Sequence, residues 1–148
     1  LTARPEGKLP VASCQLPVKA PIHCSSAALV VWQKAMRLVT VVYEATEAFP
    51  HKELYGLTQQ IRRAAVSIPS NIAEGQGRRT VKEFCHFLRT ARGSLLELET
   101  QIRIACNLKY LDEARLGTLL ARTHEVGRVL NGLIAAVAES RARKVGSA

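Results

Sequence analysis

Val81, Phe84, Leu88, Ala91, Leu95, Leu98, Ile102 and Ala105 step through the chain by three and four residues in strict alternation. That is the 3.5-residue period of a helix seam, sustained over more than three heptads, and other helices bury such a stripe along its whole length. A helical bundle is therefore expected. Thr80-Val81-Lys82-Glu83 has the spacing of a capping box and starts this helix at Val81.

Three further stretches carry the same step. Trp32, Ala35, Val39, Val42 and Thr46, with Tyr43 beside them, mark a first helix from Ala27. Phe49-Pro50 stops it, because the residue before a proline is pushed out of the helical region. Leu54, Leu57, Ile61, Ala64, Ile68 and Ile72 mark a second helix from about Glu53 to Glu74. Pro69 inside it lacks the N–H that would bond the Ala65 carbonyl, so a bend is expected there rather than a loop. Asn107 to Leu111 form a connection, and Asp112 is placed to cap a fourth helix with Leu116, Leu119, Thr123, Val126, Leu130, Leu133 and Val137 on one face. Nothing alternates like a strand. Four helices and short connections predict an all-α fold, an antiparallel up-down four-helix bundle.

Residues 1–26 hold Pro5, Pro10, Pro17 and Pro21 with no sustained period and are expected to form a disordered or extended tail. The bundle is expected over residues 27–140, and residues 141–148, with Arg141, Arg143 and Lys144, form a short basic end. Phe87, Ile104 and Leu108 lie off the third helix's seam, and Leu120, Val129 and Ile134 widen the stripe of the fourth. A bundle has one interior, so a second apolar strip points to contacts between subunits.

Composition enters through what it excludes. With 47% hydrophobic and 22% charged residues the chain can bury a core, which excludes wholesale disorder. Aromatic residues are only 5%, so once the core is filled few are expected to remain for stacking bases. Cys14, Cys24, Cys85 and Cys106 make no compact zinc ligand set. Cys85 and Cys106 are expected as buried thiols about 30 Å apart along one helix, too far for a disulfide, which favours a reducing cytoplasm. No apolar run reaches the roughly 18 residues of a membrane span, and prolines interrupt the start before a signal-peptide core can form.

The formal charge of +9 favours a polyanionic partner, since Lys and Arg release counterions from a phosphate backbone without reading bases. Within residues 62–92, Arg62, Arg63, Arg78, Arg79, Lys82, Arg89 and Arg92 face only Glu74 and Glu83, a local +5. These seven cations are the candidate nucleic-acid-binding residues. Arg62 and Arg63 flank the core positions Ile61 and Ala64, so pairing with an acidic group of a neighbouring helix, such as Glu97 or Glu99, is expected for one or both.

Other chemistry finds little footing. Glu83 and His86 have the Glu-x-x-His spacing of di-iron bundles, but no second such pair occurs and Glu83 belongs to the capping box. No metal, cofactor or catalytic residue is assigned: His51, His86 and His124 have no context tying them to a nucleophile. Gly75 and Gly77 end a helix and follow no strand, which excludes a dinucleotide or P-loop fingerprint. Arg78 and Arg79, close to the amide-rich start of the third helix, form the one local site suited to a phosphate.

Several long motifs resemble a known family. Tyr55-Gly56-Leu57-Thr58, Gln60 with Arg62-Arg63-Ala64, Ser67-Ile68-Pro69-Ser70-Asn71-Ile72-Ala73-Glu74-Gly75, Ala91-Arg92-Gly93-Ser94 and Glu97-Leu98-Glu99-Thr100-Gln101 are similar to the 23S rRNA intervening-sequence protein family. The likeness covers about Val31 to Val137 and leaves out the proline-rich start. It implies a four-helix bundle assembling as a ring-like homopentamer, with no catalytic activity. The chain also looks related to the accessory variability determinants of diversity-generating retroelements, basic bundles that work with a reverse transcriptase and RNA. Two functions are thus expected: a non-enzymatic oligomeric scaffold for RNA or DNA, or a protein-interaction module docking a partner such as a reverse transcriptase.

Overall fold

The computed structural model describes residues 25–146. They form four α-helices, α1 (Ser26–Thr46), α2 (Leu57–Gln76), α3 (Val81–Asn107) and α4 (Glu113–Gly146), with a short 3-10 turn at His51–Glu53 and no strand among the described residues. The proline-containing tail falls outside the described residues except for its last two. Helix α4 continues through the start of the basic end to Gly146.

Helix α1 starts at Ser26, one residue before the expected Ala27, and Ser25 caps it: its hydroxyl accepts a hydrogen bond from the Ala28 amide at 3.3 Å. The buried face of α1 is Ala28, Val31, Ala35, Leu38 and Val42, one residue out of phase with the expected Trp32 and Val39, which pack at its rim. Adjacent residues lie about 100° apart on a helix. Compact aliphatic side chains take the centre, while the large indole is left half-buried.

Helix α2 begins at Leu57, not near Glu53, and Leu54 is exposed rather than first in a core stripe. Gly56 breaks the helical path with φ −105° and ψ −120°. Glu53 then folds back as a cap, its Oε2 accepting from the Leu57 amide at 3.1 Å while its Oε1 accepts from the Tyr110 hydroxyl at 3.2 Å. One carboxylate thus ties the entry of α2 to the α3–α4 connection. Beyond it, α2 runs through the buried Pro69 to Gln76. The Val66 and Ser67 carbonyls just before the proline accept from the Ser70 hydroxyl and the Asn71 amide, both at 2.8 Å.

Thr80 caps α3, accepting from the Glu83 amide at 3.2 Å. The expected reciprocal bond takes another form: the Glu83 carboxylate accepts from the Thr80 hydroxyl at 2.6 Å. The seam is buried as expected from Leu88 to Ala105, while Val81 and Phe84 at the bundle's end are half-buried. Cys85 and Cys106 are buried free thiols. Burial, then the Glu113 carboxylate, pushes the Cys106 thiol up from its ordinary pKa. Asp112 caps α4, accepting from the Arg115 amide at 2.7 Å.

Each helix packs against two neighbours, in the cyclic order α1, α2, α3, α4 and back to α1. The core between them is almost wholly aliphatic. Leu120, Val129 and Ile134 pack at its edge, so they widen this interior and do not form the separate strip expected of them. Ile104 and Leu108 do remain exposed, joined by Leu96. Helices α2 and α3 meet closely: the Ser67 and Ser94 hydroxyls are 2.9 Å apart, and Gly75 lies under Phe84 and Phe87. Gly75 therefore serves helix packing. A Cβ there would lie 2.8 Å from the Phe87 Cβ.

Candidate nucleic-acid interface

The seven candidate cations do not converge. Arg62 and Arg63 sit in the first half of α2, and Arg78 and Arg79 in the connection to α3. The fourteen helical steps from Arg62 to Gln76, the last residue of α2 before Arg78 and Arg79, correspond to about 21 Å. Lys82, Arg89 and Arg92 are exposed along α3, about 15 Å from first to last. The seven are strung along α2, the α2–α3 connection and α3 rather than gathered in one pocket.

Their electrostatic fates differ. Arg62 reaches neither Glu97 nor Glu99. Its Nε donates to the Thr46 hydroxyl at 2.9 Å and its guanidinium lies 4.6 Å from the Tyr43 ring centroid, so its partners come from α1. The expected carboxylates are engaged elsewhere. Glu97 accepts from Gln101 at 2.9 Å, and Glu99 accepts from Arg103 at 2.8 Å and lies 3.4 Å from His124 Nε2. The hydrogen bond from Arg103, ahead of the contributions of His124, holds the Glu99 carboxyl below its ordinary pKa against a partly opposing burial effect.

Arg78 is compromised as a phosphate ligand. It pairs with Glu74 one turn earlier on α2, and its guanidinium stacks 4.7 Å from the Phe87 centroid. The hollow beside it, about 260 Å³, is lined by Ser25, Gln76, Arg79 and Thr80 among others. There the Thr80 hydroxyl already occupies the Glu83 amide, so the start of α3 has less to offer an anion than expected. Arg63, Arg79, Lys82, Arg89 and Arg92 are different. All five are exposed, and none joins an ion pair or hydrogen bond among the described residues. Glu83 is engaged with Thr80, and His86 lies edge-on to the Phe87 ring. Among the described residues no group of three or more His, Cys, Asp or Glu could hold a metal, and no helix is long and apolar enough to cross a membrane.

A larger groove of about 860 Å³ lies over the first half of α2, with Tyr43, Tyr55, Thr58, Gln59, Arg62 and Arg63 among its walls and Glu97 at one side. Here the scarcity of aromatic residues misleads. The core is filled by aliphatic chains, with Phe49 the one aromatic side chain buried among the described residues, so tyrosines are left over. Tyr55 is 85% exposed and Tyr43 42% exposed, and both face this groove. Sequence reasoning missed them. The available signal was that Tyr55 and Tyr43 both fall off the apolar steps of their neighbours.

The shared motifs now have structural content. Ser67, Asn71 and Ser94 form a polar link between α2 and α3, with the Asn71 amide donating to the Ser67 hydroxyl at 2.9 Å. A family model described as 23S rRNA-intervening sequence protein matches residues 27–132. No curated protein matches the chain. Among solved structures, a protein of unknown function from the S23 ribosomal protein family of Bacteroides thetaiotaomicron superposes with a TM-score of 0.68 at 19% sequence identity, covering 74% of this chain and 98% of that one. At that identity the likeness speaks for the fold alone.

Proposed function

Since the chain belongs to the 23S rRNA-intervening sequence protein family, we propose that it is a non-enzymatic, basic scaffold that holds RNA or DNA by the phosphate backbone. The observation that carries this is the set of five exposed cations without carboxylate partners, Arg63, Arg79, Lys82, Arg89 and Arg92. A cation already paired gives up that partner on binding phosphate, whereas an unpaired one releases only counterions. The helices run up and down in antiparallel order in this reading. Its support is that Ser67 meets Ser94 while Gly75, further along α2, meets Phe84 and Phe87, earlier on α3. Association into a ring-like homo-oligomer, a pentamer in the first instance, would repeat the five cations and turn weak contacts into avidity.

The test is fluorescence anisotropy on a structured RNA hairpin across a salt series. Five phosphate contacts predict a slope of log K against log salt of roughly −4 to −5 for a duplex. Replacing Arg79 and Lys82 together by Ala lowers that slope by about two, while Arg78→Ala changes it less because Arg78 is paired. A flat salt dependence refutes the reading.

A second reading is a protein-docking module that engages a partner such as a reverse transcriptase. What favours it is the exposed apolar set Leu96, Ile104 and Leu108 on α3. Ile104→Asp abolishes partner binding in that case and leaves the salt-dependent binding of RNA unchanged.

A further inference from the structure

We propose that the groove over the first half of α2 is a binding site for single-stranded nucleic acid, in which a base stacks on Tyr55 and the adjoining phosphate is held by Arg62 and Arg63. This rests on the nucleic-acid reading above and goes beyond it, since the cations along α3 grip backbones of any form whereas this groove requires an unpaired base.

Four observations converge on it. Tyr55 presents nearly its whole ring to solvent at 85% exposure, the geometry of a stacking platform, and an aromatic face accepts any base. Arg62 is held in place: its Nε is bound to Thr46 and its plane lies over Tyr43, while its two terminal nitrogens make no hydrogen bond among the described residues. A guanidinium fixed in this way keeps a donor pair for a phosphate at little further loss of side-chain freedom. Thr58, 3% exposed, also contributes to the wall of the groove, and its buried hydroxyl has no hydrogen-bond partner among the described residues. The volume, about 860 Å³, lies within the range of small-molecule sites and accommodates a nucleotide.

The polarity of the walls suits a nucleotide: Gln59, Gln60 and Glu97 supply donors and acceptors beside the cations Arg62 and Arg63. Gln59 and Gln60 carry both donors and acceptors for base edges, and the Glu97 carboxylate can accept from an exocyclic amino group, as a Glu does from cytosine N4.

The experiment compares a fluorescein-labelled ten-nucleotide oligouridine with a blunt RNA duplex by anisotropy, using the full chain, Tyr55→Ala, Tyr55→Phe and the double variant Arg79→Ala with Lys82→Ala. Tyr55 is exposed, so its truncation leaves the fold intact, which a thermal melt verifies. Tyr55→Ala is expected to weaken oligouridine binding roughly five- to a hundredfold while leaving the duplex unchanged. Tyr55→Phe retains oligouridine binding, and the double variant weakens both ligands. If Tyr55→Ala leaves oligouridine affinity unchanged while duplex binding persists, the stacking site is refuted and the backbone-scaffold reading stands. If neither RNA binds the full chain, both fall. If Tyr55→Ala instead lowers the particle mass in light scattering, the groove is a contact between copies and the nucleotide site is overturned.

Discussion

Gly75 and Gly93 make a paired test of how closely α2 and α3 pack. At Gly75 an added Cβ lies 2.8 Å from the Phe87 Cβ and 3.0 Å from a Phe84 ring carbon. The Phe87 Cβ is anchored to its backbone and cannot swing away, so the helices must separate by close to an ångström before ordinary contact distances return. Overpacking of this kind costs about 1–3 kcal/mol. The helix-propensity gain from removing a glycine, at most about 1 kcal/mol, is reduced because Gly75 sits in the last turn of α2. Gly75→Ala is therefore expected to be destabilising by roughly 1–2 kcal/mol, a fall in Tm of about 3–8 °C for a chain of this size. At Gly93, mid-way along α3, an added Cβ meets nothing within 4 Å. The same substitution there removes backbone entropy from the unfolded chain at no steric cost and stabilises by about 0.5–1 kcal/mol. Urea and thermal unfolding of the two variants, followed by circular dichroism, should move in opposite directions. If Gly75→Ala stabilises as much as Gly93→Ala, the close approach of the helices at Phe87 is wrong, and with it the account of why a glycine stands there.

Glu53→Ala removes the α2 cap and the Tyr110 contact together, and is expected to cost about 1–2 kcal/mol in urea unfolding, more than Glu47→Ala at an exposed position. Leu98→Ala, in the fully buried centre of the α3 seam, costs about 2–5 kcal/mol by the same assay. Stability should also fall on acidification. Lys34 and, less strongly, Arg122 hold the Glu125 carboxyl below its ordinary value of 4.5, as Arg103 and His124 do for Glu99. A carboxylate more acidic in the folded than in the unfolded chain contributes its stabilisation above pH 4.5 and loses it as the pH falls through the folded pKa, so Tm should drop below about pH 4.5. Glu125→Gln flattens that acid limb and lowers Tm at neutral pH. Thr80→Ala removes the α3 cap and lowers stability by about 0.5–2 kcal/mol, an effect that Thr80→Ser largely rescues.

The legible part of this protein is what depends on neighbours within a turn or two of helix. The seam from Leu88 to Ala105, the caps at Thr80 and Asp112 and the inward face of α4 follow from spacing and side-chain chemistry alone, and all lie where the pattern puts them. The start of α2 escaped that reasoning. Leu54 falls in phase with Leu57 and Ile61, but Gly56 and the Glu53 carboxylate set the boundary, and Glu53 is held from outside by Tyr110, 57 positions away. Periodicity contains no information about such a partner. The phase error in α1, confined to Trp32 and Val39, has a related origin: Val31 and Leu38 beside them take the buried places, and packing against the other helices, not spacing within α1, selects between adjacent apolar residues.

The candidate site divides in the same way. Sequence alone determined that this chain forms four helices, that α3 buries one face, and that cations concentrate between Arg62 and Arg92, because helix period and charge are properties of the residues themselves. Only the tertiary structure decided which of those cations are available. Arg62 is fixed against α1 through its Nε and the Tyr43 ring with its terminal nitrogens still open, Arg78 is taken up by Glu74 and by Phe87 from α3, and Arg63, Arg79, Lys82, Arg89 and Arg92 are left to solvent. The same packing filled the core with aliphatic side chains and left Tyr43 and Tyr55 beside one groove. The physical reason is one of range: a hydrophobic period acts along a single helix, whereas the reach of an arginine or a tyrosine spans the gap between helices, and its partner is whatever the packing of the others brings there.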